Sequence, residues 1–428
     1  MSGAAPADPL ALLTAYQQSA VVAAAVTSGV ADALASVEWR DGGAADGRAG
    51  APARQVASAS VAGAIGGSDA AGAAGLSVEQ VAREAGTDPR ATRILLSALV
   101  ALGLARRADG LVAGAPVDAG TLFALTDAGA VLASDHPQTL AWIVRKEWFF
   151  YGVWNELPAA IEDGRGRISP WRERVETDRA TAFGFLRALD DLAARFGGEL
   201  AEAAAGLLPA TRGDRADDVG AAGPAAAGSA AAGPAAAGTG DAGEHAPLRL
   251  LDVGGGAGSH AALLAGLRSD VRPTVLDLPQ VAPVLAERHP GIPFVAGDLA
   301  DERFGRSADE RWDVVLLANI LHDHTPAQNA RLVREAARLL APGGTLLLYE
   351  WIPDAGTTAP DLPLFAVMMM VENDGGDAYS EAEHRTWLEA AGLGEVELRR
   401  GHGPIAVVAA RKPAGRTEER RSTAVEQQ

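Results

Sequence analysis

The chain has 428 residues, a formal net charge of −18 and no cysteine. That length suffices for two domains and a sizeable core. The acidic balance lacks the basic footprint of a nucleic-acid binder, and the missing cysteines exclude a disulfide framework, a thiolate metal site and a cysteine nucleophile.

The N-terminus lacks the basic start of a secretory signal, and the apolar stretch Leu10 to Leu34 is interrupted by Gln17, Gln18, Thr27 and Asp32. It reads as a packed helix rather than a membrane span, and a cytoplasmic location is expected. Residues 44–74 are mostly Ala, Gly, Ser and Asp and read as a flexible insertion. Ser77-Val-Glu-Gln80 has the spacing of a capping box that opens a short helix. Thr87-Asp-Pro89 starts a second helix, with Ile94, Leu95, Ala98, Leu99 and Leu102 at helical spacing and Gly103 at its end. The runs Leu104–Val112 and Leu122–Thr126 can form a small wing, so residues 1–135 read as a winged-helix-like dimerisation domain. The second helix carries Arg90 and Arg93 but no dense cationic face, which favours packing or dimerisation over DNA binding.

Residues 136–211 read as a helical substrate-pocket and bridging segment. Aromatics make up 5% of the chain, yet Trp142, Trp148, Phe149, Phe150, Tyr151 and Trp154 cluster there. They fit either core or the wall of an apolar pocket for a flat substrate. Thr181 to Leu207 is expected to be one further helix. Residues 212–246 contain a near-repeat of Ala, Gly and Pro and read as a flexible linker, and 413–428 as a disordered tail.

Residues 247–412 alternate strand and helix. Candidate strands are Leu248–Val253, Thr274–Leu278, Phe294–Gly297, Asp313–Leu317, Thr345–Glu350, Glu395–Arg399 and Ile405–Ala410. The last two form an antiparallel hairpin at the end of an otherwise parallel pattern. The first strand runs into Gly254, Gly256 and Gly258; the next two end at Asp277, followed by Leu278, and at Asp298. A G-x-G-x-G turn gives close backbone approach without the pyrophosphate spacing of a dinucleotide motif. Acids at the next two strand ends suit a ribose diol (Asp277) and an adenine amine (Asp298). Together they point to S-adenosylmethionine (SAM) at the carboxyl edge of an open α/β sheet.

The fourth strand leads into Asn319-Ile-Leu-His-Asp-His-Thr325 and the fifth ends at Glu350. His322 at that edge suits a general base, with Glu350 on the neighbouring strand to orient it. His322, Asp323 and His324 could instead offer metal ligands, although successive residues point different ways on a regular element; no metal site is assigned.

The set Leu250-Leu-Asp-Val-Gly-Gly-Gly-Ala-Gly, Leu276-Asp-Leu-Pro, Gly297-Asp, Leu321-His-Asp, Leu340-Ala-Pro-Gly-Gly and Asp374-Gly-Gly resembles the SAM-dependent O-methyltransferases of the plant caffeate and bacterial polyketide-tailoring type. The resemblance covers the N-terminal and catalytic parts but not the two Ala/Gly-rich segments. It implies an α/β, class I methyltransferase Rossmann-like seven-stranded sheet with an N-terminal helical winged-helix domain, and a homodimer. It places Gly254, Asp277, Asp298 and Leu299 at the cofactor. It implies His322 as base, with Asp323 beside it and Glu350 supporting it, and a small aromatic or enolic substrate in specialised metabolism. The chain departs from the family pattern at His324, where a Trp is common, at Ala318, where plant members carry Lys, and at Ala378, where they carry a second supporting Glu. Three other readings stay open at this point. They are carbon methylation of an enolisable keto acid with a metal at His322 and Asp323, SAM binding without methyl transfer, and a SAM-sensing DNA-binding regulator.

Overall fold

In a computed structural model we describe residues 14–41, 75–112, 114–209, 246–353, 361–401 and 404–414. The expectations for 44–74, for 212–245 and for 415–428 fall outside them. The chain divides into two units, Met1–Tyr151 and Gly152–Gln428, and each is taken by itself.

The N-terminal unit contains α1 (Tyr16–Thr27), α2 (Val30–Asp41), β1 (Leu76–Ser77), α3 (Val78–Ala85), α4 (Pro89–Ala101), β2 (Ala105–Arg107), β3 (Leu122–Leu125), α5 (Asp127–Ala130) and most of α6 (Ala141–Val153). Ser77 caps α3 as its spacing predicts. Its backbone N–H donates to Gln80 Oε1 at 2.8 Å and its hydroxyl accepts from the Gln80 N–H at 3.3 Å. Asp88 caps α4 by accepting from the Ala91 N–H at 2.8 Å, and Pro89 opens the helix where a missing N–H costs nothing. The three short strands pair in the order β1-β3-β2. Leu34, Val78, Val81, Leu96, Leu99, Phe123 and Leu125 make one core beneath them. This is the helix–helix–wing arrangement expected.

The larger unit begins with α7 (Leu157–Asp163), α8 (Trp171–Thr177), α9 (Arg179–Phe196) and α10 (Gly198–Ala205). The single helix expected over Thr181–Leu207 is broken at Gly197. A Cβ there would sit 2.5 Å from the Ala193 carbonyl oxygen and 2.8 Å from Leu263 Cδ1. The junction therefore packs closely where only glycine fits. Next come β4 (Leu248–Val253), α11 (Ser259–Leu267), β5 (Val271–Asp277), α12 (Ala282–Arg288), β6 (Phe294–Ala296), β7 (Trp312–Ala318), α13 (Pro326–Leu339), β8 (Leu340–Trp351), α14 (Asp361–Glu372), α15 (Glu381–Ala390), β9 (Gly394–Arg400) and β10 (Ile405–Arg411).

Seven strands pair in the order β6-β5-β4-β7-β8-β10-β9. β4 to β8 pair in parallel, and β10 runs antiparallel to both β8 and β9. Strand side chains alternate between faces, and helices cover both, so each face has its own core. Leu250, Val275, Val314, Leu316, Leu347 and Val407 pack on the α10–α11 side. Leu251, Val253, Leu276, Val315, Leu317, Leu346, Leu348 and Val408 pack on the other, with residues of α13 and α15. The reversal of strand order at β4 puts the crevice for a ligand at the carboxyl ends of β4, β5 and β7. Among the described residues no single helix is long and apolar enough to cross a membrane.

Candidate active site

The glycine turn after β4 is built by left-handed backbone. Gly254, Gly256 and Gly258 have φ of +70°, +54° and +86°, a region that side chains with a Cβ rarely adopt. The turn is also packed closely. A Cβ on Gly254 would lie 2.6 Å from Ile320 Cδ1 and 3.8 Å from Leu299 Cδ1, and one on Gly256 would lie 2.9 Å from Leu186 Cδ2. One turn thus meets the end of β7, the loop after β6 and helix α9.

Asp277, at the end of β5, clamps this turn. Its Oδ2 accepts from the Gly256 N–H at 2.9 Å and its Oδ1 from the Leu278 N–H at 2.7 Å. Burial pushes its carboxyl up to about 6 despite those bonds. Asp252 lies beneath Gly255, and burial, with the Asp277 charge beside it, raises it to about 7. At the next strand end Asp298 accepts from the Ala300 N–H at 2.7 Å and is ion-paired with Arg172 of α8. Leu299 packs against the core beside it, and its carbonyl accepts from Arg331 at 2.6 Å. All seven residues named in the sequence for the cofactor therefore line one edge of the sheet.

Helix α9 is tied to the same turn. Asp190 of α9 accepts from the Ser259 hydroxyl at 2.7 Å, from Arg288 Nε at 2.5 Å, and pairs with His289 at 2.8 Å. Burial alone would raise its carboxyl, but the hydrogen bonds from His289, Ser259 and Arg288 hold it at about 2.

One strand further along, Leu321–Asp323 forms a single 3₁₀ turn that carries His322. His322 Nδ1 donates to Glu350 Oε2 at 2.7 Å. The other Glu350 oxygen accepts from the Ile320 and Leu321 N–H groups at 2.8 and 2.7 Å. Glu350 is 1% exposed and His322 is 9% exposed, so this pair is held in a low-dielectric wall with only the Nε2 edge free of Glu350. Burial would pull the imidazole down, but the charges of Glu350 and Asp323 overcome it and lift His322 to about 9. Burial likewise opposes ionised Glu350, yet the charge and hydrogen bond of His322 keep its carboxyl below the usual range. Asp323 stands 3.8 Å from His322 Nε2 and accepts from Asn373 Nδ2 at 2.7 Å. Among the described residues no three His, Asp or Glu side chains converge as metal ligands.

The Asp374-Gly-Gly segment packs against this loop. Gly375 has φ +85° and a Cβ there would fall 2.3 Å from Thr325 Cγ2; one on Gly376 would fall 3.0 Å from the His322 carbonyl oxygen. The Asp377 N–H donates to that same carbonyl at 3.0 Å. His324 donates from Nδ1 to the Ile320 carbonyl at 2.9 Å, and its own carbonyl accepts from Tyr379 at 2.5 Å. Ala378, where the resemblance to plant members implies a second supporting Glu, contributes no charge, and Asp323 and Glu372 add their potential to that of Glu350 at His322.

Several neighbours escaped the sequence reading. Phe365 meets the His322 ring edge-on at 5.0 Å between centroids, and Trp351 stacks on Phe365 at 4.3 Å. Of the aromatic cluster in 142–154, Phe150 is core, while Tyr151 stacks on both Trp148 and Tyr16. Asn319 was in sight as part of a quoted motif, but nothing in the sequence pairs it with His260.

Comparison with known proteins agrees with this geometry. Residues 245–394 match the O-methyltransferase domain family. Acetylserotonin O-methyltransferase of Mus musculus is 27% identical over 367 residues, 80% of this chain and 82% of the mouse protein. The 3-hydroxy-5-methyl-1-naphthoate 3-O-methyltransferase of Streptomyces sahachiroi is 35% identical over 159 residues, 36% of this chain and 46% of that protein. The crystal structure of human N-acetylserotonin methyltransferase in complex with SAM shares the fold, with a TM-score of 0.65 at 19% identity, covering 96% of this chain and 99% of that one. Residues 245–394 are therefore an O-methyltransferase domain, and the protein is a SAM-dependent O-methyltransferase.

Proposed function

We propose that the protein methylates a hydroxyl of an aromatic or enolic small molecule, with SAM as donor and His322 as general base. The observation that carries this is the buried His322–Glu350 pair, 2.7 Å apart, on the strands beside the glycine turn. The residues fit the cofactor. Three left-handed glycines leave backbone open to close approach. Each oxygen of Asp277 accepts one backbone N–H and keeps a second lone pair for a ribose hydroxyl. Asp298 and Leu299 would border the adenine, which requires the Arg172 side chain, 59% exposed, to swing aside.

Bound SAM supplies an electrophilic sulfonium methyl. The protein has then to hold the acceptor hydroxyl in line and remove its proton. Glu350 fixes His322 as the Nδ1–H tautomer, which leaves Nε2 as the proton acceptor, and it stabilises the imidazolium that forms. Phe365 and Trp351 supply flat apolar surface beside the imidazole, which suits a planar acceptor. Relatives named for acetylserotonin and for a hydroxynaphthoate support the same substrate class. The N-terminal unit would pair two copies of the chain. An apolar groove of about 420 Å³, lined by Val21, Ala24, Ala91, Ile94, Leu95 and Ala98, supports that role, and sedimentation equilibrium tests it.

The decisive experiment incubates the protein with SAM carrying a labelled methyl and a panel of phenols, polyketide aromatics and keto acids. Label on oxygen, lost in His322→Ala while S-adenosylhomocysteine still binds, is the expected result. Label on carbon, or unchanged turnover in His322→Ala, overturns the assignment.

A further inference from the structure

Asn319, at the end of β7, has a left-handed backbone, φ +54°. Asn tolerates that region better than other residues with a Cβ. Its amide nitrogen donates to His260 Nε2 at 3.3 Å. His260 is the second residue of α11, and its ring lies 4.4 Å from that of Tyr349, centroid to centroid. An amide nitrogen can only donate, so Nε2 accepts and the imidazole is neutral; burial, which pulls His260 down to about 4, agrees. The other end of the amide is unsatisfied. Asn319 Oδ1 is buried and no donor among the described residues reaches it. A buried acceptor left without a donor is costly, and here the donor side of the same amide is spent on a histidine that holds it in place.

Sheet order identifies the missing donor. Along the carboxyl edge the strands run β6, β5, β4, β7, which places Asp298, Asp277, the glycine turn and Asn319 in that sequence. Three strand spacings span about 14 Å, the reach of an extended adenosyl amino acid. With adenine at Asp298 and ribose at Asp277, the amino-acid end of the cofactor arrives at β7. Its sulfonium has no N–H, so the hydrogen-bond donor at that end is the α-ammonium.

We propose that Asn319 Oδ1, braced through its amide nitrogen by His260, receives the α-ammonium of the cofactor's amino-acid end. The inference rests on the SAM reading above. Asn319 acts as a binding and positioning residue, which turns the cofactor's methyl-bearing end toward the loop between β7 and α13 that holds His322.

The test compares two ligands by calorimetry: S-adenosylhomocysteine, which has the amino-acid end, and 5′-methylthioadenosine, which has the nucleoside without it. Asn319→Gly keeps the backbone conformation and removes the acceptor; Asn319→Asp keeps an acceptor. The glycine variant should bind S-adenosylhomocysteine about tenfold more weakly, as for one hydrogen bond to a charged group, and methylthioadenosine unchanged. The aspartate variant should retain S-adenosylhomocysteine binding, and both melting temperatures should stay near that of the parent. Equal weakening of both ligands, or no change in either, overturns the proposal. Failure of the unmodified protein to bind S-adenosylhomocysteine would instead overturn the cofactor reading on which it stands.

Discussion

Replacing Glu350 by Gln tests how the buried pair works. The two side chains have the same shape, so packing is preserved. Glu350 accepts three hydrogen bonds, from His322 Nδ1 and from the Ile320 and Leu321 N–H groups. A glutamine has one acceptor oxygen. If that oxygen stays with the two backbone donors, the amide nitrogen faces His322 Nδ1 and forces the proton to Nε2. The tautomer is then wrong for a base, and the imidazolium loses its counter-charge. Loss of a positioned general base of this kind lowers turnover by about 10²–10⁴-fold, or about 3–5 kcal/mol of barrier. The pH profile should move as well. In the free enzyme His322 titrates near 9 because Glu350 and Asp323 outweigh burial, so kcat/KM should rise with pH toward that value, since the neutral imidazole is the active form. In Glu350→Gln the larger of the two charges is gone, burial prevails, and the inflection should move down. The assay is methyl transfer to the acceptor found in the labelled-SAM screen, from pH 6 to 10, with S-adenosylhomocysteine affinity as the control. A variant with near-parental kcat and an unshifted inflection would refute the role assigned to the pair.

Other consequences follow from the same geometry. Asp277→Ala removes both the clamp on Gly256 and Leu278 and the ribose acceptor, so S-adenosylhomocysteine should bind at least about tenfold more weakly by calorimetry; unchanged affinity would exclude a ribose role. Gly375→Ala puts a methyl 2.3 Å from Thr325 Cγ2 at a φ of +85°, which should cost about 1–3 kcal/mol in urea unfolding and lower turnover by displacing the His322 loop; a fully stable variant would show that this contact yields easily. The raised pKa of His322 also makes a stability prediction. Its contribution is fully present below the unfolded value of 6.5 and disappears as pH rises through about 9, amounting to at most about 3 kcal/mol. The gap in melting temperature between the parent and His322→Leu should therefore narrow between pH 6 and pH 10, and a gap independent of pH would contradict it.

Much of this molecule was legible in its sequence because local physics is written locally. Ser77 and Gln80 cap α3, and Asp88 caps α4, because the donors they satisfy lie within three residues. The strands β4 to β8 read as apolar runs because both faces are covered, and Gly254, Gly256 and Gly258 announced the turn because their left-handed φ values exclude other residues. Asp277, Asp298, His322 and Glu350 could be named because each ends or follows a strand, and strand ends share one edge in this topology. The tertiary structure decided what depends on contacts between distant segments. Asp190 reaches Ser259 across 69 residues, Phe365 closes on His322 from another helix, and Gly375 is required only because Thr325 packs against it. Asn319 looked like an ordinary member of its loop until His260, 59 residues away, was found holding its amide. Periodicity and capping fix where elements begin and which face they bury, whereas the partner of a polar side chain is chosen by the packing of whole elements, which no local stretch encodes.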